Sequence, residues 1–186
     1  MLRRIIIAGA AMLLALPAFG LEVGGIKLDD RATVDGAALV INGAGIRTKL
    51  MFKVYVASLY VPAKVSTAAA AYATAPRRVQ LNMVRDVGAD QMMEALSDGL
   101  KQANPAPDFA ALKMQIDQLA TIMKGVGPLK VGNVLRFDFV GNTTQVSLDG
   151  AAKGSIAGSA FNKALMNAWI GDSPVQADLR KAMLGG

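Results

Sequence analysis

Extended segments dominate the hydrophobic pattern of the N-terminal half of this chain. An apolar run over residues 37–41 is followed by Asn42-Gly43, which predicts a strand that ends in a turn. Residues 46–61 are rich in β-branched and aromatic side chains, and Pro62 closes them, which predicts a central strand or a strand with a bulge. Residues 78–84 alternate apolar with polar side chains, as a strand with one solvated face does.

Helical spacing is found between and after these strands. Ser66 or Thr67 can cap a short alanine-rich helix that ends at residue 73, because a side-chain oxygen accepts hydrogen bonds from the first amides of a helix. Apolar spacing and stop signals predict further helices over residues 89–102, 108–125, 159–171 and 173–184, and strands over residues 134–140, 144–148 and 153–156. Since strands and helices do not alternate strictly, the expected class is α+β, with a largely antiparallel sheet and helices on one face.

The first twenty residues have the pattern of an export signal. Arg3 and Arg4 precede an apolar run over residues 5–16, and residues 18–20 form a small-x-small cleavage site. We therefore predict a signal peptide over residues 1–20, a single domain over residues 21–186 and a periplasmic location. An uncleaved anchor is the alternative, but the run is short for a bilayer and no stop-transfer pattern follows. No stable membrane anchor is expected after cleavage.

Composition excludes several chemistries. The chain has no Cys and no His, so it can form no thiol nucleophile, no disulfide, no Cys/His zinc site and no Ser-His-Asp triad. Its formal net charge of +6 includes Arg3 and Arg4 of the predicted signal, and only 5% of its residues are aromatic. No segment resembles a nucleic-acid-binding motif, so we expect no nucleic-acid partner. No pair of carboxylates has a spacing that demands a metal or an acid/base role, so we assign no metal site, no cofactor and no catalytic residue.

Three residues are candidates for binding or packing roles. Arg47 lies between Ile46 and the apolar stretch that follows, where its guanidinium could hold a carboxylate or a polarised ketone oxygen in an apolar cleft. The alternative is an arginine at a sheet edge that pairs with Asp or extends into solvent. Tyr55 and Tyr60 are five residues apart, which puts them on opposite faces of a strand, so that one hydroxyl can face a ligand. Packing is the other use of such tyrosines.

Residues 43–47, Gly-Ala-Gly-Ile-Arg, followed by residues 53–61, Lys-Val-Tyr-Val-Ala-Ser-Leu-Tyr-Val, resemble the chalcone isomerase-like superfamily, in particular its exported bacterial members. The similarity extends to residues 158–161 and 168–174 and so covers nearly the whole mature chain. The resemblance implies an open-faced β-sandwich, in which a long antiparallel sheet and a helical layer enclose a ligand cleft. On its residues alone, the Gly-Ala-Gly segment is interpreted as a turn or a bulge rather than a phosphate-binding loop.

The superfamily uses the arginine that corresponds to Arg47 in two ways. The resemblance implies that it favours a reacting phenolate in the flavanone-forming enzymes of plants and holds a carboxylate in the fatty-acid-binding relatives. It also places Tyr55 where the enzymes have a Thr, as in the fatty-acid-binding branch, and puts Gly88, Ala95 and Gln176 near the positions of the enzymes' other polar residues. Most groups that orient the enzymes' substrate are thus replaced.

We therefore predict a noncatalytic, periplasmic protein that binds a fatty acid or a similar amphipathic carboxylate through Arg47 and Tyr55. Two other functions stay open. An intramolecular lyase or isomerase acting on a chalcone-like enone would use Arg47 to stabilise developing oxyanion charge. A structural or interaction protein of the envelope would have no ligand pocket, and its Arg47 would form an ion pair at the surface.

Overall fold

The computed structural model describes residues 20–186, so the predicted signal peptide lies outside the described residues except for Gly20. Two short strands, β1 (Glu22–Val23) and β2 (Ile26–Lys27), pair with each other at the start of this part of the chain. Seven further strands form one antiparallel sheet in which spatial order follows chain order. They are β3 (Arg31–Val34), β4 (Ala37–Lys49), β5 (Phe52–Val61), β6 (Arg77–Met83), β7 (Val134–Val140), β8 (Thr143–Leu148) and β9 (Ala151–Ala157).

Six helices complete the described part of the chain. They are α1 (Ala68–Ala73), α2 (Ala89–Ala103), α3 (Ala106–Ala111), α4 (Lys113–Val126), α5 (Ser159–Ile170) and α6 (Ala177–Met183). The predicted cap of α1 is confirmed, because the Thr67 hydroxyl accepts a hydrogen bond from the amide of Ala70 at 3.2 Å. Within residues 20–186, no helix combines the length and the hydropathy needed to cross a bilayer. The predicted α+β class with an open-faced antiparallel sheet is confirmed.

Alternation along β5 divides the core into two parts. Tyr55, Ala57 and Leu59 face the helices and belong to the larger cluster of buried side chains. Val56 and Tyr60 face the other way and pack in a smaller cluster beneath the N-terminal residues. The expectation that Tyr55 and Tyr60 lie on opposite faces is confirmed, because the side chains of a strand alternate between the two faces of its sheet.

The predicted turn at Asn42-Gly43 is wrong. β4 continues to Lys49, and the pair lies at a bulge where the register with β5 shifts between Ile41 and Gly43. Asn42 is buried there: its Nδ2 donates to the carbonyl of Met183 at 2.8 Å, and its Oδ1 accepts from the amide of Val65 at 2.7 Å. The side chain is therefore used for long-range contacts rather than for a turn.

The turn of this hairpin is at Leu50-Met51, inside the stretch that was predicted to be a single extended segment. Residues 46–61 therefore contain the end of β4, a two-residue turn and the whole of β5. Neither Leu50 nor Met51 is a typical turn residue, and residues 46–61 contain no other signal for a turn.

Two helix boundaries also differ from the predictions. The helix predicted over residues 108–125 is two helices, α3 and α4, which are separated at Leu112. The last helix begins after Gln176 and not at Ser173-Pro174. The amide of Val175 donates to the carbonyl of Ala168 at 2.8 Å, which holds the chain before α6 against α5 in a non-helical conformation.

The Gly-Ala-Gly segment of β4 allows α6 to pack directly on the strand. A Cβ on Gly43 would lie 2.1 Å from the carbonyl oxygen of Ala182, and one on Gly45 would lie 3.0 Å from side-chain atoms of Leu179 and Ala182. Neither glycine has a positive φ. The predicted bulge is present, but the reason for the glycines is the close approach of the helix rather than backbone freedom.

Candidate functional site

A cavity of about 300 Å³ opens at the end of the sheet where β4 turns into β5, between the sheet and helices α2 and α5. Its interior is formed by buried side chains, which are Tyr55, Met92, Leu96, Ala168 and Trp169. Its mouth is formed by exposed side chains, which are Lys49, Leu50, Phe52, Arg85, Asp86, Gln91 and Glu94. The cavity therefore has an apolar interior and a charged mouth.

Arg47 and Tyr55, the two residues predicted to bind a ligand, are brought together in the wall of this cavity. They are direct partners across the β4–β5 pair. Opposed residues of an antiparallel pair project from the same face of the sheet. The register shifts beside them, so that Val54 is the extra residue of a bulge and also lines the cavity.

Arg47 is half-buried and forms no ion pair with a carboxylate in residues 20–186. Its Nη1 donates to the carbonyl of Thr48 at 2.9 Å and to Oε1 of Gln176 at 3.4 Å. Both acceptors are neutral, so no carboxylate among the described residues balances the positive charge of the guanidinium. The surface pairing with Asp, which was the alternative use of this arginine, is not what the described residues show.

Gln176 fixes the end of β4 that carries Arg47. Its Oε1 accepts from the amide of Thr48 at 2.9 Å, and its Nε2 donates to the carbonyl of Ile46 at 3.1 Å. These bonds hold the backbone on both sides of Arg47. The contact joins residues more than 120 positions apart, so no local pattern in the sequence could have indicated it.

The Tyr55 hydroxyl lies in the cavity interior and accepts a hydrogen bond from Nε1 of Trp169 at 3.1 Å. Burial raises the pKa of Tyr55, while the Trp169 bond and the charge of Arg47 act in the opposite direction. The hydroxyl is therefore protonated at neutral pH. Its hydrogen has no acceptor among residues 20–186, so it is available to a bound molecule. Trp169 lies within the helix predicted over residues 159–171, but it was not among the candidate residues.

Two of the charged residues at the mouth have partners within the protein. Asp86 accepts from Nζ of Lys130 and from the amide of Val131, each at 2.9 Å, and the pKa of its carboxyl is lowered by these bonds. The guanidinium of Arg85 lies 4.2 Å from the centre of the Phe52 ring. The negative charge of Asp86 is thus balanced by Lys130, and Arg85 covers an aromatic face.

Two positions that the resemblance places near polar residues of the enzymes are apolar or structural here. Gly88 is the residue before α2, and its amide donates to the side chain of Gln91 at 3.2 Å. Ala95 lines the cavity with a methyl group. In the described part of the chain, no three acidic side chains lie close enough together to hold a metal ion.

The fold and the cavity define an open-faced antiparallel sandwich whose helical layer leaves room for a small ligand beside one arginine. A family model described as chalcone isomerase-like matches residues 20–185, and the chain belongs to this family. A fatty-acid binding protein from Arabidopsis thaliana has a similar structure, with a TM-score of 0.65 and 14% identity over 87% of this chain and 92% of that chain. At that identity the likeness shows a shared fold. No curated protein sequence matches this chain significantly.

Proposed function

We propose that this protein is a noncatalytic carrier or receptor that binds a fatty acid, or a similar amphipathic carboxylate, in its apolar cavity. The observation that carries the proposal is Arg47, a cation whose hydrogen-bond acceptors are neutral and which lines a cavity with an apolar interior beside the Tyr55 hydroxyl. A periplasmic location is part of the proposal and rests on the export pattern of residues 1–20.

Two parts of the site would contribute to affinity. The carboxylate would accept hydrogen bonds from Arg47 and Tyr55, and bonds to a charged group are each worth about 1.5–3 kcal/mol. The hydrocarbon tail would lie against Met92, Leu96 and Trp169 and contribute about 0.8 kcal/mol for each buried methylene group. A volume of about 300 Å³ is at the lower end of the range of small-molecule sites, which favours a single acyl chain over a bulkier ligand.

The state of the polar side chains supports binding without catalysis. Asp86 is held by Lys130, and Gln91 is held by the backbone of Gly88. Burial keeps Tyr55 protonated, which suits a hydrogen-bond donor and not a general base. The fold shared with a fatty-acid binding protein is consistent with this reading.

Trp169 provides the readout for a direct test, because it is the only tryptophan of the chain and it lines the cavity. Delipidated protein would be titrated with fatty acids of increasing chain length while tryptophan fluorescence is recorded. Arg47→Met should weaken binding about tenfold to a hundredfold, as loss of a charged hydrogen bond predicts. The matched control is Arg31→Met, which removes an exposed arginine outside the cavity and should leave affinity unchanged. Equal affinity of wild type and Arg47→Met would refute the assignment.

The contributions of the charge and the shape of Arg47 to binding can be separated. Gln176→Glu would place a carboxylate within reach of the Arg47 guanidinium, which should occupy the cation and weaken fatty-acid binding. The methyl ester of the same fatty acid has the tail without the charge, so Arg47→Met should change its affinity little. If the ester lost as much affinity as the acid, the role of Arg47 would be one of shape.

The proposed absence of catalysis is tested in the same samples. A chalcone would be added to the wild-type protein, and ring closure would be followed by absorbance. We expect the rate of the buffer reaction. A faster reaction that is abolished in Arg47→Met would replace the binding proposal with an intramolecular lyase or isomerase.

A further inference from the structure

The turn between β4 and β5 exposes three consecutive large apolar side chains. Leu50, Met51 and Phe52 are 83%, 95% and 54% exposed. Single exposed apolar residues are common on protein surfaces, but an uninterrupted run of this kind on a projecting tip is not. The tip is therefore a candidate contact surface.

The local chemistry of the turn does not explain the choice of residues. Leu50 and Met51 both have positive φ, +48° and +67°, in a two-residue turn flanked by the pair Lys49 and Phe52. Such turns favour Asn-Gly, because side chains without a short polar group are strained in the left-handed region. Leu-Met costs stability in the turn and exposes apolar surface. Neither the turn nor the core accounts for the pair, which points to a contact outside the chain.

Basic residues surround this apolar tip. Lys49 and Lys53 flank it in sequence, and Arg85 lies over the ring of Phe52. None of these three forms an ion pair with a carboxylate in residues 20–186, whereas nearby Asp86 is already paired with Lys130. Glu94 is the other acidic residue at the cavity mouth. The tip therefore combines exposed apolar side chains with an excess of positive charge.

We propose that this tip docks on the surface of a lipid bilayer that contains anionic headgroups. Leu50, Met51 and Phe52 would enter the boundary between headgroups and acyl chains, and the basic residues would contact phosphates. A protein partner fits less well, because a stable protein interface buries about 800 Å² on each side and a three-residue tip is far smaller. Leu50 and Phe52 also line the cavity mouth, so docking would turn the mouth towards the membrane. This inference goes beyond ligand binding and does not depend on it.

Co-sedimentation with vesicles tests the proposal. Protein purified from cells that express the full chain, with its N-terminus determined by intact mass, would be mixed with vesicles of phosphatidylcholine alone or of equimolar phosphatidylcholine and phosphatidylglycerol. Wild type should sediment with the anionic vesicles and bind more weakly as salt is added. The double variant Leu50→Asn/Met51→Gly should lose at least about tenfold in partitioning, because two apolar side chains are removed.

Matched variants distinguish binding through the tip from nonspecific binding to vesicles. Met114→Gln removes another exposed methionine, 74% exposed on α4 and outside the cavity, and should leave vesicle binding unchanged. Lys53→Gln/Arg85→Gln should weaken binding to anionic vesicles more than to neutral ones. Leu50→Asn/Met51→Gly supplies the preferred turn sequence, so it should fold, as a thermal melt would verify.

Three outcomes would overturn the proposal. The first is that wild type stays in the supernatant with anionic vesicles, and the second is that the tip variant binds vesicles as well as wild type does. The third is that light scattering shows a dimer for wild type and a monomer for the tip variant, while both bind vesicles equally. No fatty acid is added in this assay, so its failure is distinguishable from failure of the ligand titration.

Discussion

The two ends of the sheet each hold an arginine and a tyrosine, but they use them differently. At the end away from the cavity, Arg77 is buried and donates to the carbonyls of Tyr72 and Thr74. Tyr72 donates to Oδ1 of Asn167 at 2.5 Å. At the cavity end, Arg47 and Tyr55 retain donors that face the cavity. At one end the polar groups bond to other parts of the chain, and at the other they adjoin a cavity.

This comparison shows that residue type alone does not identify a binding arginine. Arg77 is the more buried of the two, and burial lowers its pKa. It also lies over Phe139 with its guanidinium carbon 5.6 Å from the ring centre. Its surroundings are filled by the chain itself, so it has a structural role. What distinguishes Arg47 is an adjoining cavity and not the degree of burial.

The largest expected effect is on stability at Arg77. Arg77→Met should lower the free energy of unfolding by about 2–4 kcal/mol, because two carbonyls lose their donor while the side-chain stem is kept. Arg47→Met should lower it by less than about 1 kcal/mol, because Arg47 lies beside open space. Urea unfolding of both variants measures this. Equal losses would show that the two ends do not differ in the way proposed.

A smaller effect is expected where α6 meets β4. Gly43→Ala should cost about 1–3 kcal/mol, because the new methyl group would meet the backbone of Ala182 and displace the helix. The displacement would also move Gln176 and so weaken fatty-acid binding at the cavity end. Gly125→Ala is the matched control: it lies in α4 with nothing within 4 Å of the new Cβ and should stabilise the protein by about 0.5–1 kcal/mol. A Gly43→Ala protein as stable as wild type would show that α6 can shift freely.

These sites also show how far sequence reasoning reaches. The alternation that puts Tyr55 and Tyr60 on opposite faces is a local property of a strand, and it was predicted. The pairing of Arg47 with Tyr55 was not, because it depends on a turn at Leu50-Met51 whose residues carry no turn signal. Once that turn is known, the eight-residue spacing and the bulge at Val54 place both side chains on one face.

Long-range contacts could not be predicted from the sequence, for a different reason. Asn42-Gly43 has the local chemistry of a turn, yet Asn42 bonds to Met183 from a distant helix. Gln176 braces Arg47 in the same way. Such contacts depend on how helices pack on the sheet, which single-residue preferences do not encode. The residue pattern and the family resemblance together supplied the overall fold and the candidate arginine, while the neutral hydrogen-bond acceptors of that arginine came from the structure.

The free energy of unfolding should fall at alkaline pH, because a tyrosine with a raised pKa lies at each end of the sheet. Burial raises the pKa of Tyr55, and it raises that of Tyr72 to about 12, above the ordinary value of 10. Between these two values the unfolded chain loses its phenolic protons while the native state keeps them, so stability falls as pH rises from 10 towards 12. Tyr72→Phe should make the fall shallower in urea unfolding at increasing pH. An unchanged slope would mean that Tyr72 titrates normally.

A small effect on stability, opposite in sign to the effects of Arg77→Met and Gly43→Ala, is expected at the exposed tip. Leu50→Asn/Met51→Gly should raise the free energy of unfolding by about 1 kcal/mol, because it replaces two strained residues by the pair that such turns prefer. The same variant should lose membrane docking. If Leu50 and Met51 are needed for folding, their replacement should lower the free energy of unfolding. If they serve a contact outside the chain, their replacement should raise it. Urea unfolding therefore decides between the two, and a loss of stability would show that Leu50 and Met51 belong to the fold.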